Sequence, residues 1–322
     1  MGCGSTKIIE NNEDPISNNP DNLKKNLKVL KTFEDKTINS NIVEWKNLSI
    51  DQEVFMNLLK KLEKNKKLQG LIIRDVEIND EFDKLIELAK ILMNKKHLKI
   101  LEFHSLSNLG NKKGKSIAKI MQNCDNVERL VLVNIELEGE DAEFIGYILK
   151  NNTDHLIYLE ISLVFFNNKI HSFLDGLYSN YSIRELVLNK IDLSGDSFEF
   201  LIEAVSTNKC LTRLDVSNNP IKEGVKCFQN YSLMNILTLQ MNNCGINDDG
   251  LSVLLTGLQN NKCLKILELN ENEITSDSTN EIQNFFKNNK TLKTLYLLNN
   301  RINKNSLSNL LSSSDMIKVV SE

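Results

Sequence analysis

The sequence predicts an α/β solenoid, a horseshoe with parallel strands on its concave face and helices on its convex face. Three observations predict it. A frame of four apolar places, at positions 1, 4, 6 and 11, recurs at steps of 25 to 30 residues from Ser40 to Ile302. Alternation around places 4 and 6 marks a short strand with one face inward. Between the strands lie residues with helical spacing, as in Leu251, Leu254, Leu255 and Leu258, or Phe82, Leu85, Ile86 and Ala89.

The clearest frame is Leu264, Leu267, Leu269, Asn272 and Ile274, which returns as Leu292, Leu295, Leu297, Asn300 and Ile302 after 28 residues. Earlier frames begin at Ile236, Leu211, Ile183, Leu156, Val127, Leu98, Leu68 and Ser40. At 41% hydrophobic content, chance would make about 16 of the 40 framework positions apolar, yet only Ser40 and Asn108 are not. One such unit cannot bury its own apolar face, so ten of them stack into a continuous core. The expected organisation is a flexible Asn-rich leader over 1–22, an N-terminal cap over 23–39, ten repeats over 40–311 and a truncated cap over 312–322. Leu23, Leu27, Leu30 and Phe33 suit the first cap; Met316, Ile317 and Val320 suit the second.

Asn recurs just before the next strand at Asn65, Asn94, Asn123, Asn208, Asn261 and Asn289, where a left-handed helix cap is tolerated. Asp80, Ser194 and Asp248 are placed as N-caps, and the Asp248–Asp249 pair suits the positive end of a helix dipole. The ninth place holds Asn219, Cys244, Asn272 and Asn300 in the last four repeats. The first six hold Leu48, Val76, Leu106, Ile135, Val164 and Ile191, which leaves their turn backbone groups in need of other partners.

With repeats of about 28 residues, full outer helices and Asn or Cys at the ninth place, residues 40–311 resemble the ribonuclease-inhibitor-like class of leucine-rich repeats. That resemblance implies a leucine-rich-repeat solenoid that binds another protein. The class includes ribonuclease inhibitor, Ran GTPase-activating protein, tropomodulins and immune-receptor sensor domains, so it leaves open a GTPase-activating protein and an actin-linked or flagellar scaffold. No local motif carries a functional residue of any one member onto this chain.

A partner is expected on the concave face, at places 3, 5 and 7. The middle repeats offer Ile72, Ile100, Val131, Val133, Tyr158 and Val187; the last four offer Arg213, Asp215, Ser217, Gln240, Asn242, Glu268, Asn270 and Tyr296. Carboxylates recur at Glu44, Glu102 and Glu160. An apolar patch flanked by acids and amides suits a protein interface. Strand propensity alone also selects Val and Ile at such places.

Net charge −4 and pI near 5.8 give no basic field for nucleic acid. No Walker loop, nucleophile elbow or HExxH is present, so neither an enzyme nor a cofactor, metal or small-molecule substrate is expected. His104, which faces the concavity, reads as a surface residue. The six cysteines show no CxxC pair and read as reduced, mostly buried thiols. No run of 18 apolar residues and no secretory h-region occurs, which suggests a cytoplasmic protein. The opening Met1-Gly2-Cys3-Gly4-Ser5-Thr6 fits N-myristoylation of Gly2, with Cys3 placed for palmitoylation. A second chain would be needed for stable anchoring, because Glu10, Glu13 and Asp14 preclude a polybasic patch. The same residues also read as the chance start of a solvated leader.

Overall fold

The computed structural model describes residues 37–313 except 79–83, 107–112, 136, 138, 152–153, 167–168 and 232. The leader, most of the N-terminal cap, Phe82, Asp80, Asn108 and the residues from Met316 onward lie outside the described residues.

Ten parallel strands form one sheet in chain order, one strand per repeat. They are β1 Ile42–Ile50, β2 Gly70–Ile78, β3 Ile100–His104, β4 Arg129–Val133, β5 Tyr158–Ser162, β6 Glu185–Asn189, β7 Arg213–Asp215, β8 Thr238–Gln240, β9 Ile266–Glu268 and β10 Thr294–Tyr296. The outer layer is α1 Gln52–Lys64, α2 Lys84–Leu92, α3 Lys113–Asn123, α4 Gly139–Asn151, α5 Ile170–Tyr178, α6 Gly195–Ser206, α7 Asp248–Leu258, α8 Thr279–Asn288 and α9 Lys304–Ser313. In the seventh repeat a 3-10 helix, Lys222–Gln229, replaces the α-helix. Register keeps equal places opposite each other, so Leu71, Leu101, Leu130, Leu159 and Leu186 stack in one buried column. These columns and the inner helix faces make one core.

All ten residues at the eighth place adopt the left-handed region with φ between 49 and 61°, inside the strand in β1 and β2 and just beyond it in the other repeats. Nine are residues with a polar side chain, among them Asn47, Ser105 and Asn218; the tenth is Leu163. A branched apolar side chain in this conformation costs about 1–2 kcal/mol. Between α4 and α5 a different constraint operates. A Cβ on Gly146 would lie 2.2 Å from the Ser172 carbonyl oxygen, and one on Gly176 would lie 2.3 Å from the Gly146 oxygen. Only hydrogen fits between these two helices.

The helix-end asparagines work differently from the expectation. Asn65 has φ −74° and ψ 98°, and Asn289 has φ −90° and ψ 117°, so neither is left-handed. Their side chains instead bridge repeats. Asn289 Nδ2 donates to the Leu258 carbonyl at 3.0 Å while its Oδ1 accepts from the Leu292 amide at 3.1 Å. Asn208 and Asn261 repeat this pattern, and so does Asn180, which the sequence reading passed over. Asn94 and Asn123 lie one residue off this position and bond back to their own helices, at the Lys90 and Lys119 carbonyls. Where the place holds Lys95 or Cys124, Nζ or Sγ supplies the donor, to Glu63 and Leu92 carbonyls respectively.

Ser194 stands at the N-cap of α6 without a side-chain cap bond, and Asn247 caps α7 in place of Asp248. Asp248 reaches into the next repeat and accepts from the Thr275 amide at 2.9 Å, the Thr275 hydroxyl at 2.6 Å and the Ser278 hydroxyl. Burial pushes its carboxyl up, but these donors outweigh burial and hold it below its ordinary value.

Candidate protein-docking face

Places 3, 5 and 7 stand in three parallel rows across the concave sheet. The fifth-place row runs Glu44, Ile72, Glu102, Val131, Glu160, Val187, Asp215, Gln240, Glu268 and Tyr296, each paired with the next. Parallel pairing at constant register is what the 25- to 30-residue period requires of such a row. With ten such strands in one open sheet and a helical segment following each, the architecture is decided. The fold is a leucine-rich-repeat solenoid.

The predicted partner residues all lie on this face of the solenoid, but they do not form an open apolar patch. Val131 is 0% exposed and Val187 6%; neither gives a partner much to touch. Ile72, Ile100, Val133 and Tyr158 are partly exposed. Each of these valines stands between two acidic residues of its row, Val131 between Glu102 and Glu160 and Val187 between Glu160 and Asp215.

Three polar clusters occupy the face. In the first, the buried Glu102 accepts from Arg129 Nε at 2.7 Å and Arg74 Nη2 at 2.8 Å, with His104 Nε2 at 3.1 Å. The hydrogen bond to His104, then those to Arg129 and Arg74, hold the Glu102 carboxyl down at about 2 against the opposing effect of burial. Arg129 lies over the Tyr158 ring, 3.7 Å from its centroid, which suits a cation–π contact.

In the second cluster the Tyr158 hydroxyl donates to Glu160 at 2.7 Å and the Ser162 hydroxyl donates to the same carboxylate at 3.3 Å. Burial and the bond to Glu160 push the Tyr158 hydroxyl up to about 12. In the third, Arg213 donates to Gln240 at 2.7 Å and Glu185 at 3.3 Å, while Gln240 and Asn242 donate to Glu268 at 2.9 and 3.2 Å. Tyr158, Glu160, Ser162, Val187, Arg213 and Asp215 line a shallow depression between the second and third clusters. Leu163 also lines it and is 37% exposed; Phe165, two residues further along the chain, is 53% exposed.

Asn242 and Asn270 carry a structural duty as well. Asn242 Oδ1 accepts from the Asn270 amide, and Asn270 Oδ1 accepts from the Leu298 amide, both at 2.8 Å. These amides lie on the face as expected, and they also take the place of sheet hydrogen bonds, a role that their position alone did not show. Their recurrence at the seventh place of adjoining repeats was the available signal. The five cysteines among the described residues are free, with Cys124, Cys227 and Cys244 buried. Burial pushes the last two thiols up to about 12, which suppresses thiolate chemistry.

No family model matches the chain. It is 25% identical over 238 residues to NACHT, LRR and PYD domains-containing protein 4E of Mus musculus, a match covering 71% of this chain. The solenoid spans 23% of that relative's length. Among solved structures it is similar to an internalin from Listeria monocytogenes, at 18% identity and TM-score 0.46, covering 94% of this chain and 96% of the internalin. It is also similar to the TLR13–ssRNA13 complex, at 20% identity and TM-score 0.48, covering 80% of this chain and 36% of that one.

Proposed function

We propose that the protein is a non-enzymatic interaction scaffold that presents its concave sheet to a protein partner. The supporting observation is that side chains on this face are held by one another, as in the Arg74–Glu102–Arg129 and Tyr158–Glu160–Ser162 clusters. Side chains already fixed lose little freedom on docking, which favours a specific protein contact. Partly exposed Ile72, Ile100, Val133, Tyr158 and Tyr296 supply apolar contact, and Glu160, Asp215, Asn242 and Asn270 supply polar contact. Replacing Val133 and Tyr158 together by glutamate is expected to abolish recovery of the native partner in a pull-down from the source cell while leaving far-ultraviolet circular dichroism unchanged. Undiminished recovery would remove this reading.

The reading extends to membrane tethering through myristoyl on Gly2 and palmitoyl on Cys3, supported by the Met-Gly-Cys opening. A single myristoyl chain binds membranes only marginally, so both are invoked. In cell fractionation Gly2→Ala is expected to move the protein from the membrane pellet to the soluble fraction. Persistence in the pellet would count against tethering. Outer helices of 9 to 13 residues support placement in the ribonuclease-inhibitor-like class.

A further inference from the structure

The concave sheet is electrostatically divided. On places 3, 5 and 7, repeats 1–4 carry Glu44 and Glu102 against Lys46, Arg74 and Arg129, a net charge of +1 with His104 neutral. Repeats 5–10 carry Glu160, Glu185, Asp215 and Glu268 against Arg213, a net charge of −3. The carboxylates differ in their partners too. Glu102 is neutralised by two arginines, and Glu185 pairs with Arg213. Glu160 is held by two hydroxyls, Asp215 by the Ser217 amide, and Glu268 by two side-chain amides. Among the described residues none of these last three carboxylates has a cationic partner.

These three occupy the fifth place of repeats 5, 7 and 9, in one row. Neighbouring strands are about 4.8 Å apart, so the row places a carboxylate roughly every 10 Å. An α-helix advances about 10.5 Å in seven residues. Past the end of β5, three and five residues after Glu160, Leu163 and Phe165 are exposed, and Leu163 lines the same depression as Glu160.

We propose that this acidic C-terminal half of the sheet docks a basic helical segment of the partner protein, with lysines or arginines seven residues apart opposite Glu160, Asp215 and Glu268. An apolar residue at the end of that segment meets Leu163 and Phe165. This identification rests on the reading of the concave sheet as the binding face. The neutral donors leave each carboxylate charged and oriented, so a cation completes the site without disturbing the sheet.

The test uses the full chain and two synthetic alanine-based helices of equal length and equal lysine number. One spaces its lysines seven residues apart; the other bunches them at one end. Fluorescence anisotropy is expected to show the spaced helix binding at least about tenfold more tightly than the bunched one. The advantage is expected to shrink with added salt and to vanish in the triple variant Glu160→Gln, Asp215→Asn, Glu268→Gln, whose amides keep the local shape. Equal binding of the two helices, or an unchanged affinity in the triple variant, overturns the proposal. Hydrogen exchange separates this failure from failure of the scaffold reading. If the native partner still protects β4 to β8, only the basic-helix assignment falls; if its protection maps to the outer helices, the concave face itself is the wrong site.

Discussion

The first six repeats and the last four end their strands by different chemistry. β1 and β2 run for nine residues and stay paired to the eleventh place, Ile50 with Ile78, while β3 to β6 run for five. β7 to β10 run for three. In those last four repeats the seventh-place amide is taken by a side chain. Ser217 donates to the Asp215 carboxylate, Asn242 to the Ser217 hydroxyl, Asn270 to Asn242, and Leu298 to Asn270. Strand length here is therefore set by which acceptor takes one backbone N–H, and strand propensity is secondary.

The ninth place shows the same division. Asn219 accepts from the Ile191 and Leu193 amides of the repeat before it, both at 3.0 Å, and donates to the Leu188 carbonyl at 2.7 Å. Asn272 does the same for repeat 8, and Asn300 accepts from the Ile274 amide and donates to the Leu269 carbonyl of repeat 9. Cys244 performs half the task, since its thiol reaches the Val216 carbonyl at 3.4 Å but offers no oxygen to the turn before it. Accordingly, the Ile221 amide bonds locally to Asn219, as Leu137 does to Ile135 in the apolar half. Local closure in repeat 4, continued strand pairing in β1 and β2, and Asn219 reaching back to repeat 6 answer the demand raised by the apolar ninth places of those repeats.

The largest effect is expected from breaking the asparagine arm. Asn219→Leu leaves two buried amides and several carbonyls unpaired, and should lower stability by about 4 kcal/mol in urea unfolding, at 1–3 kcal/mol per orphaned group. The reciprocal Val164→Asn should also destabilise, because Val164 is buried in the apolar half. A gain there would refute the division. Next in size is Glu102→Gln, expected to cost about 2 kcal/mol at neutral pH by removing the carboxylate that Arg129 and Arg74 share, with only the longer Glu44 contact left to Arg74. Because folding lowers the Glu102 carboxyl from 4.5 to about 2, its contribution is complete above pH 4.5 and fades as pH falls toward 2. The variant should lose that part of the acid limb, whereas Glu160→Gln should keep it.

A smaller effect is expected from Cys244→Asn, which supplies the missing acceptor and should raise stability by about 1 kcal/mol. An unchanged or lower midpoint in thermal unfolding would mean that local closure already satisfies the turn. Smallest is Leu163→Asn, which should add about 0.5–1 kcal/mol by relieving the left-handed leucine. It should also weaken binding of the spaced-lysine helix.

The repeat frame was legible because buried places admit few residue types. Leu267 or Leu295 could hardly be anything else, and the register followed from them. The concave rows were legible as positions but not as a surface, since Val131 and Asn270 share a face while one is covered and the other ties the sheet. Periodicity records which way a side chain points. It does not record what its neighbours do above it, and Arg129 closing on Tyr158 and Glu102 depends on three repeats at once.

The half-equipped ninth place in repeat 8 has a mechanical consequence. Repeat 7 closes its own turn, is the shortest at 25 residues, and carries the 3-10 segment on its outer side. The oxygen that Asn219, Asn272 and Asn300 each lend to the preceding turn is missing at that junction, where the Cys244 thiol only donates, so a solenoid pulled by its C-terminus should peel in two stages. In single-molecule extension repeats 8–10 would release together, and the longer N-terminal block would yield afterwards as a separate event.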